Sequence, residues 1–240
     1  MRRHGRGESG TTIVEIAVGL AVGTLLVAGI LVLIEQTQKS YMHSSEVTDL
    51  QQNVRVAMDR MVRIIQAAGV NPRNQTWAGP GANNVAFTAF REAGRNCIRL
   101  YADLDGDTFV SSADENVYFH WPTTPATGSP LRETRGTAAG QPDAGQAWVA
   151  VSGGAEELAR DIVANPGGAD MFQYFTGPND VSPNTQLTPP ALSTTACSSL
   201  SDVQRARVAR VVITVTGQAT VSGVVMTKTV TSDARARNVP

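Results

Sequence analysis

The chain has 240 residues, a formal net charge of −1 and only 5% aromatic residues. So balanced a charge lacks the basic stripe of a nucleic-acid binder, and no nucleic-acid partner is expected. Beyond residue 34 there remain 206 residues (240 − 34), enough for one globular domain and rich in Gly, Pro, Ser, Thr, Asn and Val, which favours short strands and turns over a helical bundle.

The chain starts with a short basic stretch, Met1 to Gly10, containing Arg2, Arg3 and Arg6. A long apolar run follows, Thr11 to Ile34, and residues 13–34 contain one ionisable group, Glu15. At 1.5 Å per residue this run rises about 36 Å, enough to cover a hydrocarbon core of about 30 Å. The arginines place the N-terminus in the cytoplasm. A secretory signal has an apolar region of about 7–15 residues with small residues after it; here the run is longer and the glycine precedes it. A carboxylate inside a membrane span costs about 2.5–3.5 kcal/mol. Glu15 therefore needs a partner, and that need points to assembly rather than to a plain anchor.

Past Ile34 the sequence turns polar but keeps a helical period. Val47, Leu50, Val54, Ala57, Met61, Ile64 and Ala68 step by three and four residues and mark one buried face. No proline occurs between Thr11 and Ala68, and Gly69-Val70-Asn71-Pro72 ends the pattern. One helix of nearly sixty residues, about 85 Å long, is predicted. Its second half packs either on a sheet or into a coiled-coil stalk. Sheet packing is preferred because the stripe is short and the sequence soon turns β-like.

The series Gly10, Thr11, Thr12, Ile13, Val14, Glu15 resembles the processing site of type IV pilins and of type II secretion pseudopilins. That resemblance implies cleavage after Gly10 by a membrane prepilin peptidase and methylation of the new amine on Thr11. It also implies that Glu15, the fifth mature residue, pairs with the Thr11 amine of a neighbouring subunit. Two opposite charges offset each other's burial, whereas one alone does not. The family usually starts its mature chain with an aromatic residue or methionine, where this chain has Thr11.

After Pro72 a loop leads into strand candidates at Asn84–Phe90, Asn96–Ala102 and Asn116–Trp121. Pro122 to Gln146 reads as a Pro/Gly/Thr/Ala-rich loop. Trp148–Val151 reads as a short strand, Glu156–Val163 as a weak helix or strand, and Phe172–Phe175 as an aromatic strand. Gly177 to Ser199 reads as a second turn-rich loop. Val208–Thr216 is the strongest strand signal, β-branched and partly alternating. Gly217 to Gly223 then forms a turn region, and Val224–Thr231 pairs back as a hairpin. The segments Asp49–Arg55, Ala67–Gly69, Glu157–Val163, Phe172–Phe175, Arg207–Val215 and Ala234–Asn238 are similar to PilW-type minor pilins. GspJ-type pseudopilins share the layout. The implied fold is α+β and pilin-like, with a long N-terminal helix packed on an antiparallel sheet. The expected division is 1–10 leader, 11–34 transmembrane half-helix, 35–69 amphipathic half-helix and 70–240 periplasmic β-rich domain.

The densest acid cluster comprises Asp103, Asp105, Asp107, Asp114 and Glu115. Alternating aspartates turn several carboxylates to one point, and calcium favours many oxygen ligands on a flexible loop. Asp114 falls eleven residues after Asp103, as the last acid of an EF-hand loop does, although the sixth position is Thr108 and no EF-type helix follows. The other reading is a polar hairpin turn at Asp105-Gly106. Calcium is thus a possible ligand, with Asp103, Asp105, Asp107 and Asp114 as ligands and Glu115 as substitute for Asp114. Both cysteines, Cys97 and Cys197, follow the apolar run and face an oxidising compartment, which permits a disulfide. The alternative is two free or buried thiols.

No H-E-x-x-H, P-loop or G-x-S-x-G motif occurs. His120 reads as a packed or strand-surface residue. The resemblance to the pilin superfamily implies a structural, not enzymatic, role: a minor pilin that primes type IV pilus assembly. Its partners would be the prepilin peptidase, other minor and major pilins, the inner-membrane assembly platform and membrane lipid. It would span the inner membrane once and later reach the pilus at the cell surface. The alternatives are a minor pseudopilin of type II secretion and, from another class, a membrane-anchored periplasmic ligand-binding or enzymatic domain.

Overall fold

A computed structural model describes residues 12–69, 77–78, 84–85, 89–101, 104, 115–121, 128–135, 155–191, 197–221 and 223–236. The chain divides into two compact units, Met1–Glu46 and Val47–Pro240. One helix, α1 (Ile13–Ala67, 55 residues), contributes to both. In the first unit its apolar side chains are exposed, among them Ile13, Leu20, Leu25 and Leu33. The hydroxyls within and just past this apolar stretch bond to their own helix: Thr24 Oγ1 donates to the Ala21 carbonyl at 2.9 Å and Thr37 Oγ1 to the Leu33 carbonyl at 2.8 Å. Such back-bonding removes the cost of a bare hydroxyl among apolar side chains. By length and composition α1 is able to cross a membrane.

In the second unit α1 buries Leu50, Val54, Ala57, Met58, Met61, Ile64 and Ile65, a stripe of three- and four-residue steps. The helix stops at Ala67. Gly69 follows at φ 81°, the left-handed conformation that terminates helices, and its N–H donates to the Tyr101 carbonyl at 3.0 Å.

The rest of this unit is antiparallel. A small pair joins β1 (Trp77–Ala78) and β2 (Asn84–Val85). The main sheet contains β3 (Phe90–Ala93), β4 (Cys97–Tyr101), β5 (Asn116–His120), β6 (Ser129–Arg135), β7 (Glu156–Val163), β8 (Phe172–Thr176), β9 (Gln186–Leu187), β10 (Val208–Val221) and β11 (Val224–Arg235). Its order is β3-β4-β5-β6-β7-β10-β8-β9, with β11 on the other edge of β10. The first edge of β10 is shared: β7 pairs at Thr216 and Gly217, and β8 pairs from Val208 to Ile213. A four-residue helix, α2 (Asp202–Arg205), precedes β10. The architecture is α+β: a long N-terminal helix and a curled antiparallel sheet.

The curl follows from where the strand ends meet. Four strands separate β4 from β8 in the sheet order, yet Phe172 N donates to the Arg95 carbonyl, in the β3–β4 turn, at 2.9 Å. The enclosed side carries Ile98, Leu100, Phe119, Leu131, Ile162 and Ile213, all buried with the α1 stripe. Helix and sheet approach closely at Gly217. A Cβ there would stand 2.7 Å from Leu50 Cδ1 and 2.9 Å from Val54 Cγ2.

Several elements differ from the sequence expectation. The strand expected to end at Thr216 runs to Val221, so Gly217 lies inside β10 and not in a turn. Its missing side chain answers to helix packing, not to a bend. The Pro122–Gln146 loop contains β6, where Leu131, Glu133 and Thr134 are buried. Pro130 masked that strand, although proline is tolerated near the start of a strand. The Gly177–Ser199 loop contains β9. Within the expected strand Asn84–Phe90 the described residues give β2 at Asn84–Val85 and the start of β3 at Phe90, and residues 86–88 lie outside the described residues. Glu156–Val163 resolves as a strand. The expected strand at Trp148–Val151 lies outside the described residues.

Candidate functional site

At the N-terminal motif, Gly10 and Thr11 lie outside the described residues. Glu15 sits in the first turn of α1. Thr12 N donates to Glu15 Oε2 at 2.9 Å, and Glu15 N donates to Thr12 Oγ1 at 3.4 Å. This reciprocal pair is a capping box: the hydroxyl and the carboxylate each satisfy a backbone N–H that the helix start leaves without a partner. The Thr12-x-x-Glu15 spacing is the sequence signature of such a box. Glu15 thus has a local role in the single chain, while Ile13, Val14, Ile16 and Val18 around it are exposed.

Cys97 and Cys197 form a disulfide with Cα atoms 5.9 Å apart. The bond ties β4 to the segment before α2. That segment also pairs with β3: Gly94 bridges Ser199, Leu200 N donates to the Ala93 carbonyl at 3.0 Å, and Ala93 N donates to Ser199 Oγ at 2.7 Å. A Cβ on Gly94 would stand 2.5 Å from Cys97 Sγ and 2.7 Å from Cys197 Sγ, so the bridge requires glycine there. The buried Tyr174 hydroxyl donates to the Gly94 carbonyl at 2.8 Å. Asn96 Nδ2 donates to the Trp121 carbonyl at 2.6 Å, and Trp121 N returns a bond to the Asn96 carbonyl at 3.0 Å. The β3–β4 turn is therefore the junction where the two ends of the curled sheet and the 197–200 segment are joined.

Of the candidate calcium ligands, Asp103, Asp105, Asp107 and Asp114 lie outside the described residues. Glu115 is described and is fully buried immediately before β5. Among the described residues no three His, Cys, Asp or Glu side chains converge as a metal site requires.

The sequence reading did not anticipate the charged groups inside the sheet. Glu133 on β6 is 1% exposed. Arg60 of α1 donates to both of its oxygens, Nη2 to Oε1 at 2.9 Å, and Arg135 Nε donates to Oε1 at 2.9 Å. Burial pushes the Glu133 carboxyl up, but these bonds outweigh it and hold its pKa below the usual value. Glu92 shows the opposite balance: burial raises its pKa, and Arg99, 3.5 Å away, offsets only part of that. His120 is half-buried, stacks on Tyr118 with ring centroids 5.1 Å apart, and lies 3.3 Å from Thr134 Oγ1 through Nε2. Burial, with Arg132 nearby, lowers its pKa to about 4. Glu133 shares the enclosed face with its cross-strand partner Phe119, whereas Glu92 and His120, opposite Arg99 and Cys97, lie on the other face; a charge in an alternating strand does not by itself reveal which face becomes buried.

Comparison with known proteins gives no matching family model, no matching curated protein and no matching solved structure.

Proposed function

We propose that this chain is a minor pilin of a type IV pilus, a non-catalytic subunit that takes part in priming filament assembly. The observation that supports this most is the build of α1. Its first half is apolar, exposed and carries Glu15 in its first turn, and the same helix continues into an amphipathic half laid on an antiparallel sheet. A wholly apolar, exposed helix face needs a lipid or protein environment. An acid within it, on the pilin reading, meets the amine of a neighbouring subunit during assembly. Among the described residues the Glu15 carboxylate accepts from the Thr12 N–H, and a carboxylate has acceptor capacity beyond one such bond for a partner of this kind. In this reading the prepilin peptidase cuts after Gly10 and methylates Thr11. The chain resides in the inner membrane with its C-terminal unit in the periplasm, and it meets other pilins and the assembly platform before reaching the cell surface.

The test is mass spectrometry of the protein from peptidase-positive cells, together with imaging of surface pili in a deletion strain. A Thr11 N-terminus and loss of pili are expected. An intact Met1, or normal piliation without the gene, would overturn the reading. Loss of secretion with normal piliation would assign the chain to a type II secretion system instead.

The acidic loop is proposed to take calcium, because five acids within thirteen residues repel one another without a cation. Asp103, Asp105, Asp107 and Asp114 are the expected ligands, with Glu115 as substitute for Asp114; Glu115 is fully buried. Calcium should raise the melting temperature of the full chain in detergent relative to chelator, since binding to the folded state alone stabilises it. Equal melting in both would leave an ordinary acidic turn.

A further inference from the structure

The sheet has three outer edges among the described residues, and they are treated differently. The edge at β9 is two residues long. The edge at β3 is covered, since Ala93 is bonded on its outer side by Ser199 and Leu200. β11 is twelve residues long and pairs only with β10. Its register with β10 runs unbroken from Val224 to Arg235, with no bulge and no proline. Folded proteins usually blunt such an edge, because its free N–H and carbonyl groups template another strand. Here Val224 and Val225 at its start are more than half exposed.

The charges on β11 say what kind of strand fits. Lys228 and Arg235 are exposed, and among the described residues neither is held in an ion pair. Arg235 lies directly opposite Arg210 on β10, while the Arg210 guanidinium is seated 4.3 Å from the Phe175 ring centre. Like charges opposite each other across strands are unfavourable, so the outer side of Arg235 calls for an acid. Lys228 lies opposite Gly217, on the face that meets α1, and Arg235 lies on the other face. The two cations are seven positions apart (235 − 228) and on opposite faces, as the two-residue period of a strand requires.

We propose that the outer edge of β11 takes an extended segment of a different protein, added as a further strand, with acidic residues seven positions apart facing Lys228 and Arg235. The backbone edge would supply main-chain hydrogen bonds and the two cations the choice of partner. A second copy of this chain fits poorly. A two-fold antiparallel pair covering the whole strand centres on Val230 and sets Ser232 against Lys228 and Val225 against Arg235. The only acid of β11, Asp233, would meet neither cation. This inference holds whether or not the chain is a pilus subunit.

The experiment uses full-length protein in detergent micelles and two labelled synthetic peptides of roughly twelve residues, alternating Thr and Val to match β11. One carries two glutamates seven positions apart, the other two lysines at the same places. The acidic peptide should bind, slow hydrogen exchange across residues 224–236, and bind about tenfold more tightly than the basic one. The double variant Lys228→Glu/Arg235→Glu, changed only at exposed side chains, should reverse that preference while keeping the parent melting temperature. The proposal is overturned if neither peptide binds, if both bind equally, or if protection maps away from β11. Concentration-dependent self-association of the protein alone that protects β11 would make a second copy the occupant, and would equally overturn it.

Discussion

Arg60 on the long helix holds Glu133 on β6 with two hydrogen bonds, although the residues are 73 positions apart. Arg60 is partly exposed and Glu133 is buried, so the arginine screens a carboxylate that would otherwise lie bare under the helix. Arg60→Met keeps the aliphatic stem and removes the donors. It should cost about 1–3 kcal/mol, because Arg135 remains as a second partner and limits the loss. Chemical denaturation of the full chain in detergent measures this, and Glu133→Gln in the same background should recover part of it. An unchanged midpoint for Arg60→Met would remove this pair from the account of helix docking.

Gly217→Ala should be destabilising at a site where a strand normally prefers any other residue. The added carbon collides with Leu50 and Val54, and overpacking of this kind costs about 1–3 kcal/mol. Adding Leu50→Ala should offset part of the loss, since it frees the space the new methyl occupies. Two independent, additive losses would show that the helix is not seated on Gly217.

The Cys97–Cys197 bridge closes a separation of 100 residues. Loop-closure entropy in the unfolded chain values such a link at about 4.7 kcal/mol. Replacing both cysteines by serine should lower the melting temperature substantially, whereas reductant should do nothing further to that variant. Thiol labelling of denatured, non-reduced protein should find no free cysteine.

Stability should rise with pH between about 4 and 6.5 through His120. Its folded pKa is lowered to about 4, so across that window the unfolded chain binds more protons than the folded one. Full loss of this contribution on acidification amounts to roughly 3 kcal/mol. Glu133 adds to the same trend at lower pH: its lowered pKa gives stability that is lost as the carboxylate protonates. His120→Phe should flatten the pH profile above pH 4; a profile that keeps its slope would place the titration elsewhere.

Glu15→Gln and Glu15→Val separate the two roles of this residue. Both should insert into the membrane normally, because both remove a charge from the apolar run. Glutamine keeps an acceptor for the Thr12 N–H; valine does not. If charge pairing drives assembly, both variants should be depleted from filaments. If glutamine assembles as well as the parent, helix capping is the operative role.

The local patterns of the chain determined its helix without help from the fold. The apolar run, the stripe from Val47 to Ala68 and the terminating Gly69 set α1 to within two residues at each end, because helical period and end signals act within one turn. The β10–β11 hairpin was likewise legible from its β-branched runs. What only the tertiary structure decided was non-local. Gly217 read as a turn because its strand role depends on Leu50 and Val54, more than 160 positions away. β6 was missed because Pro130 outweighs neighbouring residues locally, while Leu131 and Glu133 are justified only by the core and by Arg60. The partnership of Cys97 with Cys197, the closure of β8 against the Arg95 carbonyl and the edge position of β11 beside β10 depend on which strands become neighbours. Strand pairing is set by long-range burial and register, to which a linear pattern contributes only one side of each contact.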